Sequence, residues 1–197
     1  MSKQFLNNAE ILATLRELND HITQPLWLFG GVGVDFLVGR WTRPHGDIDL
    51  NTFAEFRADL TRELHQIGYQ SENSGWLTHW YQQNSDRFLE IVFLERDQHC
   101  APLLRIRPGD PLGIPGEYPL LPDHLDPNRF AELESVRFRV SSPAGEWLAR
   151  ANGLDVVGAR RPEPKLEHDL RLLETLIAPE QIIQLRAMAK KQTERTP

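Results

Sequence analysis

Two aspartates, Asp47 and Asp49, stand one residue apart and follow the glycine pair Gly30-Gly31 in one short stretch of chain. If residues 47–53 form a strand, both carboxylates lie on one face, about 6.5–7 Å apart at the backbone. Carboxylates at that spacing can bind one hard cation or bridge two cations roughly 3.5–4 Å apart. Without a cation they repel each other, because neighbouring like charges disfavour joint ionisation. The aspartate pair alone is equally typical of a solvated edge strand.

The glycine pair follows an apolar run over residues 26–29 and precedes a second apolar pattern that ends near Gly39. This order predicts a buried strand, a tight turn and a short helix. The amino end of such a helix presents backbone N–H groups that bind phosphate oxygens. Three basic side chains between the glycines and the aspartates can meet the same phosphates, namely Arg40, Arg43 and His45. The ordinary alternative for each is a solvated surface group.

A third carboxylate, Glu90, stands within the apolar run of residues 87–94. Such a run is typical of a central strand, where a buried glutamate is costly unless it is paired or bound to a metal. We therefore predict that Glu90 joins Asp47 and Asp49, as a metal ligand or as the base for an attacking hydroxyl. The ordinary alternatives are a strand end that reaches solvent and an ion pair with Arg87.

The segment over residues 26–51 resembles the small antibiotic nucleotidyltransferases. The resemblance depends on the glycine pair, on Asp35 and on the run Thr42-Arg43-Pro44-His45-Gly46-Asp47-Ile48-Asp49, and it continues more loosely to Glu95. These enzymes are the aminoglycoside 2″-O-adenylyltransferases and lincosamide nucleotidyltransferases of the polymerase-beta-like superfamily. The resemblance implies an α+β fold, in which a mixed β-sheet nucleotidyltransferase core is flanked by helices and followed by a helical C-terminal part.

The resemblance also implies the site residues. Two Mg²⁺ ions would be held by three residues that are also catalytic, Asp47, Asp49 and Glu90. ATP or another nucleoside triphosphate would bind to a mixed set of glycines, bases and acids: Gly30, Gly31, Asp35, Arg43, His45, Lys165 and Asp169. The position of Arg40 among the basic residues adds it to this set. Lys165 and Asp169 stand four residues apart, so an exposed ion pair on one helix face is their ordinary alternative.

Hydropathy periodicity predicts the elements that position these residues. We expect helices over residues 8–22, 54–67, 165–177 and 178–191, and a further helix that begins after Ser142-Pro143. We expect two strands joined by a turn over residues 69–83, and one more strand over residues 136–140. The aromatic residues of the second of these strands, Trp76, His79, Trp80 and Tyr81, are typical of a core, or alternatively of a surface that stacks on a base or sugar.

Seven prolines between residues 102 and 127 predict a long irregular loop. We assign residues 1–128, with this loop over 102–128, to the nucleotidyltransferase core, and residues 129–197 to a strand and a helical part. The loop is a candidate wall of the acceptor pocket. Its acids, Glu117, Asp123 and Asp126, are candidate contacts for amines, although solvated loop charges are their ordinary alternative.

The net charge and the residue composition restrict the kinds of binding partner that we expect for this protein. The net charge is −6 and the pI is ≈ 5.6, whereas proteins that bind nucleic-acid backbones usually present a basic surface. An acidic protein suits a cationic small molecule, so we expect a small-molecule hydroxyl acceptor and no nucleic acid. The single cysteine, Cys100, and the lack of a signal-like or membrane-spanning apolar run predict a cytoplasmic protein without a membrane partner.

Three functions remain open at this point. The leading hypothesis is magnesium-dependent transfer of a nucleoside monophosphate, AMP from ATP, to a hydroxyl of a small molecule such as an aminoglycoside or lincosamide antibiotic, with release of pyrophosphate. The second is a nucleotidyltransferase of a toxin–antitoxin type that acts on protein or RNA. The third is a catalytically silent nucleotide sensor. The sequence leaves the acceptor, the preferred nucleotide and the oligomeric state open.

Overall fold

The computed structural model describes residues 5–82, 88–110, 113–157 and 164–193. Within these ranges the helices are α1 (Asn8–His21), α2 (Gly30–Val38), α3 (Arg57–Gln66), α4 (Pro143–Val157), α5 (Pro164–Glu174) and α6 (Pro179–Thr193). The strands are β1 (Trp27–Phe29), β2 (Ile48–Phe53), β3 (Tyr69–Ser74), β4 (Leu77–Gln82), β5 (Phe88–Arg96), β6 (Pro102–Ile106), β7 (Gly116–Pro119), β8 (Phe130–Leu133) and β9 (Val136–Arg139).

Seven strands form one mixed sheet, in which β1, β2, β5, β4 and β3 lie side by side in that order. β2 and β5 are parallel, whereas the other neighbours are antiparallel. Past the stretch of β5 that pairs with β4, the last residues of β5 pair with β6. Strand β6 in turn pairs with β7. Helices pack on this sheet and β8 pairs with β9 in a separate hairpin. The predicted α+β architecture, a mixed sheet with helices that continue to the C-terminal part, is confirmed.

The strand register divides the sheet into two faces, because side chains alternate along each strand. The first face is buried under α1 and α3 and carries Ile48, Leu50, Leu89 and Ile91. The second face carries Asp49 and Glu90 and continues into an apolar cluster of Trp27, Phe53, Leu77, Val92, Leu94 and Leu125. The two predicted acids therefore stand on the side of the sheet opposite to α1 and α3.

The predicted boundaries hold where local sequence signals are strong. A capping box between Asn7 and Glu10 begins α1, and Gly39, with a φ of 73°, ends α2 in the left-handed conformation that glycine adopts without strain. Ser142 caps α4, since its hydroxyl oxygen accepts a hydrogen bond from the Gly145 amide at 3.0 Å. The helix expected over residues 54–67 is shorter, because a 3₁₀ turn over Ala54–Phe56 precedes α3.

The prediction of an irregular loop over residues 102–128 is wrong in its first half, where β6 and β7 form a hairpin. Pro102 is the first residue of β6 and Pro119 is the last of β7, and a proline at a strand end leaves the interior of the hydrogen-bond ladder intact. The pairing of Leu103 with Glu95 joins this hairpin to β5. This long-range partner stabilises a strand that the local proline content argues against.

The remaining elements connect the C-terminal part to the sheet. The hairpin β8–β9, of which only β9 is predicted from the sequence, packs into the same core as α1 and the first face through Leu133, Val136, Phe138 and Val140. α4, α5 and α6 share a second core that reaches α2 through Val34. The division at residue 128 stays a prediction. None of the helices in the described ranges combines the length and the apolar character needed to cross a membrane.

Candidate active site

Asp49 and Glu90 are direct partners in the parallel ladder of β2 and β5. Partners in register point to the same side of a sheet, so both carboxylates stand on the second face. Asp47 lies just before β2, which begins at Ile48. Burial raises the pKa of Asp49 well above its usual range, and the charges of Asp47 and Glu90 raise it further. The structure therefore brings the three predicted acids close enough to repel one another.

Glu90 also has a neighbour on its other side. His79 of β4 is its register partner, and the two side chains approach to 3.8 Å between Nε2 and Oε1. The Glu90 side chain keeps 29% of its exposure, so it is within reach of a molecule on the second face. Trp80, the next residue of β4, points to the first face and is part of the core. Arg87, the alternative partner for Glu90, lies outside the described residues.

The two glycines allow charged side chains to approach the amino end of α2. Gly30 opens the helix with a φ of +67°, and a β carbon there would collide with the carboxylate of Asp49. A β carbon on Gly31 would collide with the guanidinium of Arg43 and would lie 2.7 Å from Nδ1 of His45. The helix terminus, one acid and two basic side chains therefore meet at one place, as the sequence predicts.

Asp35 supports this arrangement from inside α2. It is fully buried, and its carboxylate lies 2.7 Å from Nε2 of His45 and accepts a hydrogen bond from the Thr42 hydroxyl. The resemblance places Asp35 among the residues of the nucleotide site, either in contact with the ligand or in support of the site. Its burial and its two partners favour support, because they fix the loop that carries Arg43 and His45.

Asp169 of α5 is also fully buried and is held between two arginines. Arg43 donates to it from Nε at 3.1 Å and from Nη2 at 2.8 Å, and Nη1 of Arg150 lies 3.0 Å away. Burial lowers the pKa of Arg43, but the hydrogen bonds and charge of Asp169, together with the charges of Asp35 and Asp49, leave it raised. Asp169 therefore orients Arg43 toward the glycines.

Two further predicted residues, Arg40 and Lys165, are exposed. Arg40 is exposed, one residue beyond the C-cap Gly39, at the opposite end of α2 from the glycine pair. Lys165 is exposed at the start of α5, one helical turn before the buried Asp169. Asp169 itself is buried and is held by the two arginines. The roles of Arg40 and Lys165 in nucleotide binding stay predictions.

Sequence reasoning missed two residues of α4, Glu146 and Arg150. Glu146 is buried; its Oε1 accepts hydrogen bonds from the Gly30 amide at 3.0 Å and from Nε of Arg150 at 2.9 Å. Burial raises the pKa of Glu146, whereas Arg150 and the Gly30 amide oppose that shift. Their spacing of four residues is the only sequence signal, and it is shared by ordinary surface ion pairs.

The donor chemistry of the acids fits a hard divalent cation. Carboxylate oxygens are the ligands such cations take, and a cation would relieve the repulsion that raises the pKa of Asp49. No group of three His, Cys, Asp or Glu side chains in the described ranges is arranged to hold a metal ion as it stands. Mg²⁺ does not require one, since it is usually bound by one or two carboxylates together with substrate phosphates.

The mixed sheet and the acids beside a glycine-opened helix lie in a segment that is similar to a known family of nucleotidyltransferases. The aminoglycoside-2''-adenylyltransferase family model matches residues 10–100, the part of the chain that contains this constellation. A lincosamide resistance protein of Staphylococcus haemolyticus is 38% identical over 64 residues, which are 32% of this chain and 37% of that protein. A 2''-aminoglycoside nucleotidyltransferase of Klebsiella pneumoniae is 41% identical over 59 residues, 30% of this chain and 31% of that protein.

The chain therefore spans about a third of the length of the curated relatives it matches. The crystal structure of the lincosamide antibiotic adenylyltransferase LnuA, lincomycin-bound, has a TM-score of 0.63 at 19% identity and covers 88% of this chain and 100% of that chain. At this identity the likeness establishes the fold. The resemblance to the antibiotic nucleotidyltransferases is thus confirmed, by the family model over residues 10–100 and by the fold over most of the chain.

Proposed function

We propose that this protein transfers a nucleoside monophosphate, AMP from ATP, to a hydroxyl group of a small molecule and releases pyrophosphate. The observation that carries the proposal is the in-register placement of Asp49 beside Glu90, on the face that also receives the amino end of α2. A metal-binding acid, a base and a phosphate-binding helix terminus are the parts that phosphoryl transfer to a hydroxyl needs. The leading hypothesis from the sequence is the one these contacts support.

In this proposal Asp47 and Asp49 would hold Mg²⁺, with Glu90 as a third ligand. Mg²⁺ bound there would neutralise part of the triphosphate charge. Gly31, Arg43 and His45 line the triphosphate, because their contacts place a guanidinium and an imidazole directly at the amino end of α2. The Gly30 amide donates its hydrogen bond to Glu146. The role of Gly30 is therefore to leave room for the Asp49 carboxylate.

Glu90 acts as the base. Its carboxylate accepts the proton of the acceptor hydroxyl, and the hydroxyl oxygen forms a bond to the α-phosphorus of the nucleotide. The bond from the α-phosphorus to the oxygen bridging to the β-phosphorus breaks, and pyrophosphate leaves with that electron pair. His79, 3.8 Å from Glu90, stands beside the path of this proton.

The acceptor is an antibiotic-like compound with several hydroxyl groups. The family description names aminoglycosides and the LnuA structure contains lincomycin. The acidic net charge of −6 favours a cationic acceptor over nucleic acid. The second face beside Glu90 is polar, since the register places Glu72 next to His79 and Gln70 next to Tyr81. A cytoplasmic setting, where ATP and Mg²⁺ are available, belongs to the same proposal.

The test is release of pyrophosphate by the purified chain with ATP and Mg²⁺, across a panel of aminoglycosides, lincosamides and other hydroxylated compounds. Mass spectrometry of the acceptor should show one added nucleoside monophosphate. Asp49→Asn should abolish both signals, whereas Asp59→Asn, an exposed acid on α3 paired with Arg62, should leave them unchanged. Equal activity of wild type and Asp49→Asn would remove this acid from the mechanism.

A further inference from the structure

The second face of the sheet changes character along its strands. One half is buried and apolar, where Val92 of β5 and its register partner Leu77 of β4 share a cluster with Leu125 of the loop that follows β7. The next side chains along this face, Glu90 of β5 and its register partner His79 of β4, keep 29% and 28% of their exposure. The apolar cover therefore ends at the row that contains the proposed base.

Beyond this row the side chains of the second face are aromatic or polar. Register places Tyr81 of β4 beside Phe88 of β5, and Gln70 of β3 beside Tyr81. Tyr81 and Phe88 are half-buried, whereas Gln70 is exposed. The Phe88 ring also lies 5.4 Å from the His79 ring, measured between ring centres. Aromatic rings at this place offer apolar surface to a ring compound and attract an ammonium group.

An acid stands where this surface reaches the edge of the sheet. Glu72 of β3 is the register partner of His79, so it lies on the same face as Glu90 and two strands away. Two strand spacings separate the backbones of these acids by roughly 10 Å. Glu72 is exposed, and among the described residues none forms an ion pair with it. In the described part of this row, two acids therefore flank a single titratable base, His79.

We propose that this open half of the second face, defined by Glu72, His79, Tyr81 and Phe88, binds an acceptor that carries an amine. The inference rests on the proposed function, because it places the reacting hydroxyl at Glu90. A compound of several linked rings that offers a hydroxyl to Glu90 can lie on the two aromatic side chains and present an ammonium group to Glu72. An ammonium donates charge-assisted hydrogen bonds to a carboxylate, so this face favours amines over neutral compounds of similar shape.

The test is a titration of the ¹⁵N-labelled full chain without ATP or Mg²⁺, followed by NMR at constant ionic strength, so that binding is measured apart from catalysis. The probes are kanamycin A, an aminoglycoside, and maltotriose, a neutral compound with the same number of rings. Saturable shifts are expected at the amides of Glu72, His79 and Tyr81. Kanamycin A should bind about tenfold more tightly than maltotriose, because only kanamycin A makes charged hydrogen bonds.

Two variants separate the charge of this face from its rings. Glu72→Gln should weaken binding of kanamycin A by about threefold to fivefold, as for an ion pair in solvent, and leave maltotriose unaffected. Tyr81→Leu keeps the charge and removes a ring, so binding of both probes should weaken by about threefold. Glu167→Gln is the matched control for the lost charge, since Glu167 lies on α5 and is 58% exposed.

The outcomes distinguish this inference from the proposed function. Equal affinity for the two probes, shifts that avoid β3 and β4, or unchanged binding of kanamycin A in both variants would overturn the inference. In steady-state kinetics, Glu72→Gln should raise KM for kanamycin A more than it lowers kcat, because Glu72 lies away from the reacting hydroxyl. Saturable binding at β3 and β4 without release of pyrophosphate would support the binding face and count against the proposed transfer.

Discussion

Two groups of acids lie close together in this molecule and have opposite surroundings. On the strands, the charges of Asp47 and Glu90 raise the pKa of Asp49 beyond the effect of burial. On the helices, Asp169 is fully buried yet lies 2.8 Å from Arg43 and 3.0 Å from Arg150. The first group accumulates negative charge, whereas in the second each negative charge is matched within the protein.

The difference separates two uses of a carboxylate. Acids held between arginines fix helices α4 and α5 against the loop that carries Arg43, so they position other groups. A carboxylate that lies beside other carboxylates is less stable in its charged form while no cation is bound, so it gains most from an added cation. Glu146 stands between the two cases, because it bonds the Gly30 amide on one side and Arg150 on the other.

The sharpest test of this comparison is Asp49→Asn, which should have the largest effect on activity. Nucleotidyl transfer should fall by about 10⁴-fold, because several kcal/mol of metal-dependent stabilisation are lost. The metal-free variant should nevertheless melt at a higher temperature at neutral pH. Burial and the neighbouring acids raise the pKa of Asp49, so the folded protein loses stability as the pH rises from the ordinary aspartate pKa toward this raised pKa. An asparagine at this position has no proton to lose, so the variant avoids that loss of stability.

Pyrophosphate release and calorimetry of the metal-free protein measure the two effects. The control is Asp59→Asn, whose side chain is 51% exposed, and which should change neither quantity. A lower melting temperature for Asp49→Asn would show that the strand acids are stabilised within the protein, as Asp169 is, and the contrast between the two groups would disappear.

Glu90→Gln should have the next largest effect, a loss of roughly 10²–10³-fold in kcat, which is typical for removal of a general base. The affinity for nucleotide should change much less, because Glu90 receives the proton and is not required for triphosphate binding. Steady-state kinetics with ATP varied at a fixed acceptor concentration separates the two parameters. A rise in KM for ATP with unchanged kcat would assign Glu90 to binding instead.

Asp169→Asn tests the paired group through stability. Removing one charge should leave Arg43 without its hydrogen-bonded carboxylate and Arg150 with Glu146 alone, and should reduce the free energy of unfolding by about 3 kcal/mol. Urea unfolding measures this change. Glu167→Gln, an exposed acid on the same helix with 58% of its side-chain surface accessible, is the control. Stability equal to wild type in Asp169→Asn would mean that this carboxylate does not hold α5 in place.

The smallest expected effect concerns His124, a buried base near the strand acids that sequence reasoning also missed. Burial, with a smaller contribution from the charge of Arg129, lowers its pKa to about 3. Between its ordinary value of 6.5 and about 3, the unfolded chain binds a proton that the folded protein does not. Stability should therefore fall by about 1.4 kcal/mol for each pH unit below this ordinary value.

Urea unfolding at pH 7 and at pH 5.5 measures this loss for wild type and for His124→Gln. The variant should lack the part of the pH dependence that comes from His124, whereas His99→Gln, an exposed residue, should retain it. An identical pH dependence in all three proteins would show that His124 is protonated in the folded state.

Much of the site follows from local sequence. Gly30 and Gly39 mark the ends of α2 because both need a left-handed conformation, and the one-residue spacing of Asp47 and Asp49 keeps the two acids close together along the chain. The apolar run around Glu90 identifies a central strand, and β5 indeed lies between β2 and β4. These signals depend on residues that are neighbours in sequence.

Other contacts join residues that are far apart in sequence. Asp169 and Arg43 are separated by 126 residues, and Glu146 and Gly30 by 116. No spacing rule relates such pairs, so the sequence predicts neither the contact of Asp169 with Arg43 nor that of Glu146 with Gly30. Similarly, the prolines around β6 argued against a strand until the pairing with β5 supplied one.

The amino-acid sequence alone determined the glycine-opened helix, the closely spaced aspartates and the central strand with its glutamate, since short-range sterics and alternation fix these features. Only the tertiary structure decided which acids are neutralised by arginines and which face one another. The physical reason is that charge pairing depends on distances of a few ångströms between side chains, which chain folding sets and sequence separation does not.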